Sequence, residues 1–262
     1  MNPLFFGESK KQLFGVYHPP RSRILRDTSI VLCYPHGQEY LRSHRMFKRL
    51  ADLLARAGFH VLRFDYYGSG DSSGSSSEWS FDGSCQDLVS AVNELKDVSG
   101  NSSVSLVGLR LGATIAALAG ITNVKDWLFW DPVINGRDYL GSLKSMHQEM
   151  LVHPMRFRHL RNEEGKGELL GYPLSDKACS ELEQLDLTES SRVDVGQVHI
   201  LCSTAKDEYS VFRDHLAFSC GRVEYHVIDD AGEWDVVEYI ESALLVKNIL
   251  HEIVAILSKD AN

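Results

Sequence analysis

The sequence has no Cys-x-x-Cys pair, no glycine-rich phosphate loop, no paired histidine spacing and no long apolar run. Its five cysteines, Cys33, Cys85, Cys179, Cys202 and Cys220, are scattered and odd in number. That pattern predicts buried thiols in a reducing, cytoplasmic setting rather than a disulfide framework. Without a phosphate or dinucleotide loop after a strand, no nucleotide cofactor is expected. Histidines such as His147 and His153 lack the i, i+4 spacing of a helical metal site, so no metal is expected either. Basic charge is also scarce: 27 Lys and Arg stand against 36 Asp and Glu, a net charge of −9. This argues against nucleic acid or an anionic membrane as partner. The N-terminal apolar run, Pro3 to Phe6, meets Glu8, Lys10 and Lys11 too soon for a signal peptide. Glu241, Lys247, His251 and Glu252 interrupt the apolar C-terminal stretch, which reads as a core helix and not a membrane span.

What is present is an alternation of strand and helix patterns. Residues 3–7 and 12–18 read as lead-in strands. Thr28 to Pro35 is a buried strand, and 43–57 has the apolar spacing of a helix (Met46, Phe47, Leu50, Leu53, Leu54) stopped by Gly58. Then follow a strand at 59–64, a helix at 80–96, a strand at 103–108, a helix at 110–120 and a strand at 125–130. After a gap come a strand at 198–203, a helix at 211–218, a strand at 223–228 and a long helix at 236–257. Such alternation predicts an α/β fold: an eight-stranded, mostly parallel sheet flanked by helices, its first strands antiparallel. Residues 133–192 break the rhythm and read as an inserted cap, with 1–132 and 193–262 as the core. A cap there would cover the carboxyl ends of the strands, where such sheets bind ligands.

The most telling phrase is Gly108-Leu109-Arg110-Leu111-Gly112. An apolar strand precedes it and an alanine-rich helix follows. This is the frame of a nucleophile elbow, in which a sharp strand-to-helix turn presents one side chain above the sheet. That side chain is Arg110, and a guanidinium can neither attack a carbonyl nor surrender its proton. It suits neutralising nearby carboxylates or gripping an anion. Other candidates border the same region. His36 opens a turn after the first buried strand, and Glu39, Arg42 and Arg45 begin the next helix, where solvated charge is the usual state. Asp65 and Asp71 brace a loop. Asp131 follows a strand and offers an alternative acid. Cys33 and Cys202 read as core.

Taken together, these features resemble the α/β-hydrolase superfamily, on the serine-aminopeptidase-like branch. Three phrases resemble more narrowly the exosortase-A-associated hydrolases of bacterial surface-polysaccharide clusters. They are Arg63-Phe64-Asp65-Tyr66-Tyr67-Gly68-Ser69-Gly70-Asp71-Ser72-Ser73-Gly74, Gly108-Leu109-Arg110-Leu111-Gly112-Ala113 and Trp130-Asp131-Pro132-Val133-Ile134-Asn135-Gly136. The resemblance implies a catalytic triad whose nucleophile maps to Arg110, its acid to Asp207 and its histidine to Glu233. It also implies an oxyanion hole from the backbone N–H groups of Gln38 and Leu111. Arg at the elbow, found in some members of that subgroup, would then be a feature of the lineage. His36, Glu39, Asp131 and Trp234 are expected to contact a ligand. Arg110, Asp207 and Glu233 are expected to form one charged cluster on the pocket floor.

Three functions fit such a chain. The favoured one is a pocket that binds an acyl or acidic small molecule without acting as a standard serine hydrolase. The second is an enzyme of altered acyl chemistry, namely acyl transfer, thioester cyclisation or hydrolysis without a serine nucleophile. The third is a scaffold for a partner, whether a second copy of the chain or a biosynthetic-cluster protein.

Overall fold

The computed structural model describes residues 1–152, 167–190, 193, 196–220, 222–230, 232–239 and 246–259. The eight strands of the main sheet are β1 (Asn2–Phe6), β2 (Leu13–His18), β3 (Thr28–Cys33), β4 (His60–Phe64), β5 (Ser103–Leu109), β6 (Val124–Trp130), β9 (Gln197–Cys202) and β10 (Arg222–Val227). Their order across the sheet is β1-β2-β4-β3-β5-β6-β9-β10. The pairs β1–β2 and β2–β4 are antiparallel, and every other pair is parallel. Every residue of β3 is buried, as a strand with helices on both faces requires. Across the sheet, β3, β5 and β6 form the centre of the core, and the Trp127 and Trp130 side chains are wholly buried.

Helices α1 (Gln38–Arg56), α2 (Phe81–Ser99), α3 (Leu111–Leu118), α7 (Asp207–Ser219) and α8 (Asn248–Ser258) flank the sheet. Contacts between α1 and α8 mark one face, and a chain of contacts through α2 and α3 marks the other. The stretch between β6 and β9 holds α4 (Gly136–Val152), a hairpin of β7 (Glu168–Leu169) and β8 (Tyr172–Pro173), α5 (Asp176–Glu183) and α6 (Leu187–Ser190). Its periodicity is weak in sequence because α4 buries a narrow set: Gly136, Tyr139, Leu140, Met146 and Met150. Part of the expected cap, residues 153–166, lies outside the described residues.

Two expectations are corrected. The helix read at 43–57 begins at Gln38, because Gly37 (φ 66°) turns the chain directly into it. Glu39 and Arg42 are therefore buried instead of solvated, each only 6 % exposed. The C-terminal helix does not run from 236. A 3-10 turn occupies Val237–Tyr239 and α8 starts at Asn248, with 240–245 outside the described residues. The Asp230 carboxylate accepts from the Lys247 and Ile249 amides at 3.1 and 2.9 Å. A carboxylate from a neighbouring loop thus satisfies the first N–H groups of α8, which has no side-chain cap of its own.

A buried polar relay ties β2 to β4. Arg63 Nε donates to His18 Nε2 at 3.2 Å, Arg63 also donates to the Tyr34 hydroxyl, and His18 Nδ1 lies 3.3 Å from Asp52 Oδ1. His18 is fully buried. A ring that accepts at Nε2 must carry its proton on Nδ1 and stay neutral, since a second proton would face Arg63. Burial, with Arg63 beside it, lowers its pKa to about 4 from 6.5. The unfolded chain therefore binds a proton there that the folded chain refuses. Stability from this group is complete above pH 6.5 and falls as pH drops toward 4, by up to about 1.4 kcal/mol per pH unit. Urea unfolding at pH 7, 6 and 5 should show this decline, and His18→Asn should flatten it. An equal slope in the variant would refute the assignment.

Candidate functional site

Arg110 stands between β5 and α3 with φ 52° and ψ −123°, a conformation that non-glycine residues avoid. The turn is held from both sides. Its N–H donates to Trp130 O at 2.9 Å, and its carbonyl accepts from Ala113. A Cβ at Gly112 would stand 2.3 Å from Cys33 O and 2.4 Å from Tyr34 O, so only glycine lets α3 approach the end of β3.

The Arg110 side chain does not reach into open solvent. Its Nε donates to Glu39 Oε1 at 2.9 Å and its NH1 to the Asp131 carbonyl at 3.3 Å. The guanidinium lies 5.4 Å from the Trp234 ring centroid and 5.6 Å from that of Tyr139. Tyr139 completes the grip on Glu39, its hydroxyl donating to Oε2 at 3.3 Å. Burial by itself would lower the Arg110 pKa, but Glu39 outweighs it and holds the group above its ordinary value. Arg42 joins from α1. Its guanidinium also lies against Trp234, at 5.3 Å, and donates to the Glu233 carbonyl at 3.0 Å.

Asp131 is the acid the structure brings to this place. Its carboxylate accepts from the Ser203 amide (2.8 Å), the Ser203 hydroxyl (2.6 Å) and Trp234 Nε1 (2.9 Å). Gly232 leaves room for the Ser203–Asp131 contact, since a Cβ there would stand 2.2 Å from Ser203 Oγ and 2.9 Å from Asp131 Oδ2. Asp131 is 2 % exposed and has φ 41°. Three of the four non-glycine residues with positive φ among those described, Arg110, Asp131 and Leu170, border this region. Strain of this kind persists only where surrounding contacts impose it.

The expected cluster of Arg110, Asp207 and Glu233 does not form. Asp207 is exposed at the start of α7, and Glu233 turns its side chain outward while its carbonyl serves Arg42. The charge that meets Arg110 comes from Glu39. Alignment by motif missed it because a glutamate in the first turn of a helix looks like ordinary surface charge. Trp234, one residue beyond the mapped position, is the side chain that meets the acid.

Beside this cluster lies a narrow cleft with about 40 Å³ of free internal volume, partly open to solvent. Its floor is His36, Gln38, Glu39, Arg42 and Trp234, and its apolar roof comes from α4 and the β7–β8 hairpin, including Leu143, Met146 and Leu170. Gln38 donates to the Leu170 carbonyl at 2.9 Å and so ties floor to roof. His36 stacks on Trp79 at 3.8 Å, and burial pushes its pKa down to about 3, so it is neutral. Of the two expected oxyanion amides, Gln38 belongs to the cleft lining, whereas Leu111 is fully buried and outside it. Arg110 and Tyr139 border a second, more polar cleft with Lys206, Glu208 and Asp235.

The strand order, the parallel centre and the strained turn after β5 together decide the architecture. The chain has the α/β-hydrolase fold. Residues 29–155 match the family described as Serine aminopeptidase, S33. Human Protein ABHD12B is 38 % identical over 97 residues, 36 % of this chain and 25 % of its own length. Lysophosphatidylserine lipase ABHD12 of Xenopus tropicalis is 34 % identical over 93 residues, 36 % of this chain and 23 % of its own. The matches thus span about a quarter of these relatives. The ferulic acid-bound Est1E of Butyrivibrio proteoclasticus superposes with a TM-score of 0.66 at 13 % identity, covering 98 % of this chain and 96 % of that one.

The buried pair sets a clear expectation for stability. Arg110→Met leaves Glu39 buried without its guanidinium and should cost about 3–5 kcal/mol. Adding Glu39→Gln removes the stranded charge and should restore much of that loss. Urea denaturation of the two single variants and the double reads the coupling. Additive losses would show that the pair does not act as a unit.

Proposed function

We propose that this α/β-hydrolase-fold chain binds an amphipathic acid, with an acyl tail and an anionic head, and does not cleave it through a serine ester. The observation that carries the reading is the commitment of the elbow side chain. Arg110 occupies the apex and spends its guanidinium on Glu39 and the Asp131 carbonyl. In this reading Arg110, Trp234 and Asp131 occupy the places that nucleophile, histidine and acid take in active members. An indole N–H can donate to the acid, as Trp234 does, but it has no ring lone pair with which to take a proton. The set retains the geometry of a triad and lacks both its nucleophile and its base.

The cleft supports the ligand class. Its roof is aliphatic, suited to an acyl chain. On its floor Arg42 has a buried Nε with no hydrogen-bond partner, a donor available to a carboxylate or phosphate. The ABHD12 relative is named for a lipid with an acyl chain and a charged head, which accords with this class. Altered acyl chemistry is less well supported, because Asp207 and Glu233 are exposed and neither meets Arg110.

Two measurements test the proposal. The chain should stay unlabelled by a serine-directed fluorophosphonate and hydrolyse activated short-chain esters only at background. Arg110→Ser should not change that, for want of a base. Decanoate should change Trp fluorescence saturably, its methyl ester should bind more weakly, and Arg42→Ala should weaken decanoate binding about tenfold or more. Equal affinity for acid and ester would remove Arg42 as the anchor. Stoichiometric labelling of a serine near the elbow would overturn the non-hydrolytic reading.

A further inference from the structure

The outer edge of the sheet carries a second constellation, on the other side of β9 from the elbow. In β10, Glu224 and His226 alternate onto one face, and the register sets Glu224 directly beside His199 of β9. Tyr225, on the opposite face, meets Arg213 of α7. Glu224 and His226 therefore face the side of α8, away from α7. His199 Nδ1 lies 3.4 Å from Glu224 Oε2, and His226 Nε2 lies 3.5 Å from the same oxygen. All three ligand atoms fall within 4.8 Å of one another. His199 is 4 % exposed, and neither its Nδ1 nor His226 Nε2 has a hydrogen-bond partner, although both atoms are buried. Leaving two buried ring nitrogens without hydrogen bonds is costly unless another group engages them.

We propose that His199, Glu224 and His226 form a site for a divalent transition metal, best suited to Zn²⁺. Bonds of about 2.0–2.1 Å in a tetrahedron set neighbouring ligand atoms about 3.3 Å apart. The two nitrogen-to-oxygen separations are within about 0.2 Å of that edge. Two imidazoles and one carboxylate are a donor set that zinc accepts, with the fourth position left to water. Arg222 NH2 holds the other carboxylate oxygen, Oε1, at 2.6 Å, which aims Oε2 between the rings as an outer partner does in metal sites. Arg222 is largely exposed, and Lys259, at the end of α8, is the other cation near His199. Histidine spacing along one helix could not reveal this set, because its members sit on two strands and meet through strand register. A metal there would clip the edge strand β10 to β9.

The test uses the full chain, Co²⁺ and Zn²⁺. Wild type should bind one Co²⁺ with the visible absorption of a tetrahedral site, and Zn²⁺ should displace it. Zn²⁺ should raise the melting temperature in proportion to saturation. Glu224→Gln and His226→Ala, both at partly exposed positions, should keep the fold by circular dichroism. Each should weaken Co²⁺ binding at least about tenfold and lose the thermal shift. No saturable binding by wild type would overturn the proposal, the cluster then being an ion pair alone. Binding that survives both substitutions but disappears on thiol alkylation would overturn it too, by assigning the metal to cysteines.

Discussion

A guanidinium at the apex of a buried, strained turn must find a carboxylate, and that requirement organises the middle of this molecule. Arg110 cannot be neutralised, and its burial is tolerated only because Glu39 comes within 2.9 Å. Glu39 is there because Gly37 turns the chain sharply and starts α1 early, so that its first turn faces inward. Tyr139, from the stretch between β6 and β9, is held by the same carboxylate. One charge thus joins the elbow, the first core helix and the α4 segment. Replacing such a pair by apolar residues is often neutral for stability, so its contribution here is better read as orientation.

The arrangement around Asp131 has a chemical consequence. Ser203 and Trp234 supply three donors to one buried carboxylate, which fixes its orientation. Trp234 in turn gives its face to two guanidiniums, those of Arg42 and Arg110. Carboxylates, guanidiniums and the indole thus form one connected network. What remains open is the cleft beside it, apolar above and basic at Arg42.

Strand β10 leads into the loop that carries Trp234, so the sheet edge bears on the site. Among the described residues the strand pairs on one side only, and it is mostly half-buried. Edge strands are weakly held unless something covers or fastens them. A metal clip between β9 and β10 would serve that end, at a distance from the cleft and with chemistry of its own. Among the described residues no helix is long and apolar enough to cross a membrane.

Strand and helix alternation, the buried character of residues 28–33 and the glycine frame around Arg110 are local patterns, and each was legible because burial and backbone conformation constrain neighbouring residues directly. The sequence by itself therefore determined the eight-stranded sheet, its antiparallel start and the elbow with arginine at its apex. Partnership was not legible. Whether Arg110 meets Glu39, Asp207 or Glu233 depends on which faces of α1 and α7 turn inward, and motif order carries no such information. The role of Trp234 rested on a single-residue offset in a loop, and the start of α8 on an Asp230 carboxylate seventeen residues before Lys247. The His199–Glu224–His226 set needed strand register. Tertiary structure decided all of these, because hydrogen bonds and ion pairs act over about 3 Å of space whatever the distance along the chain.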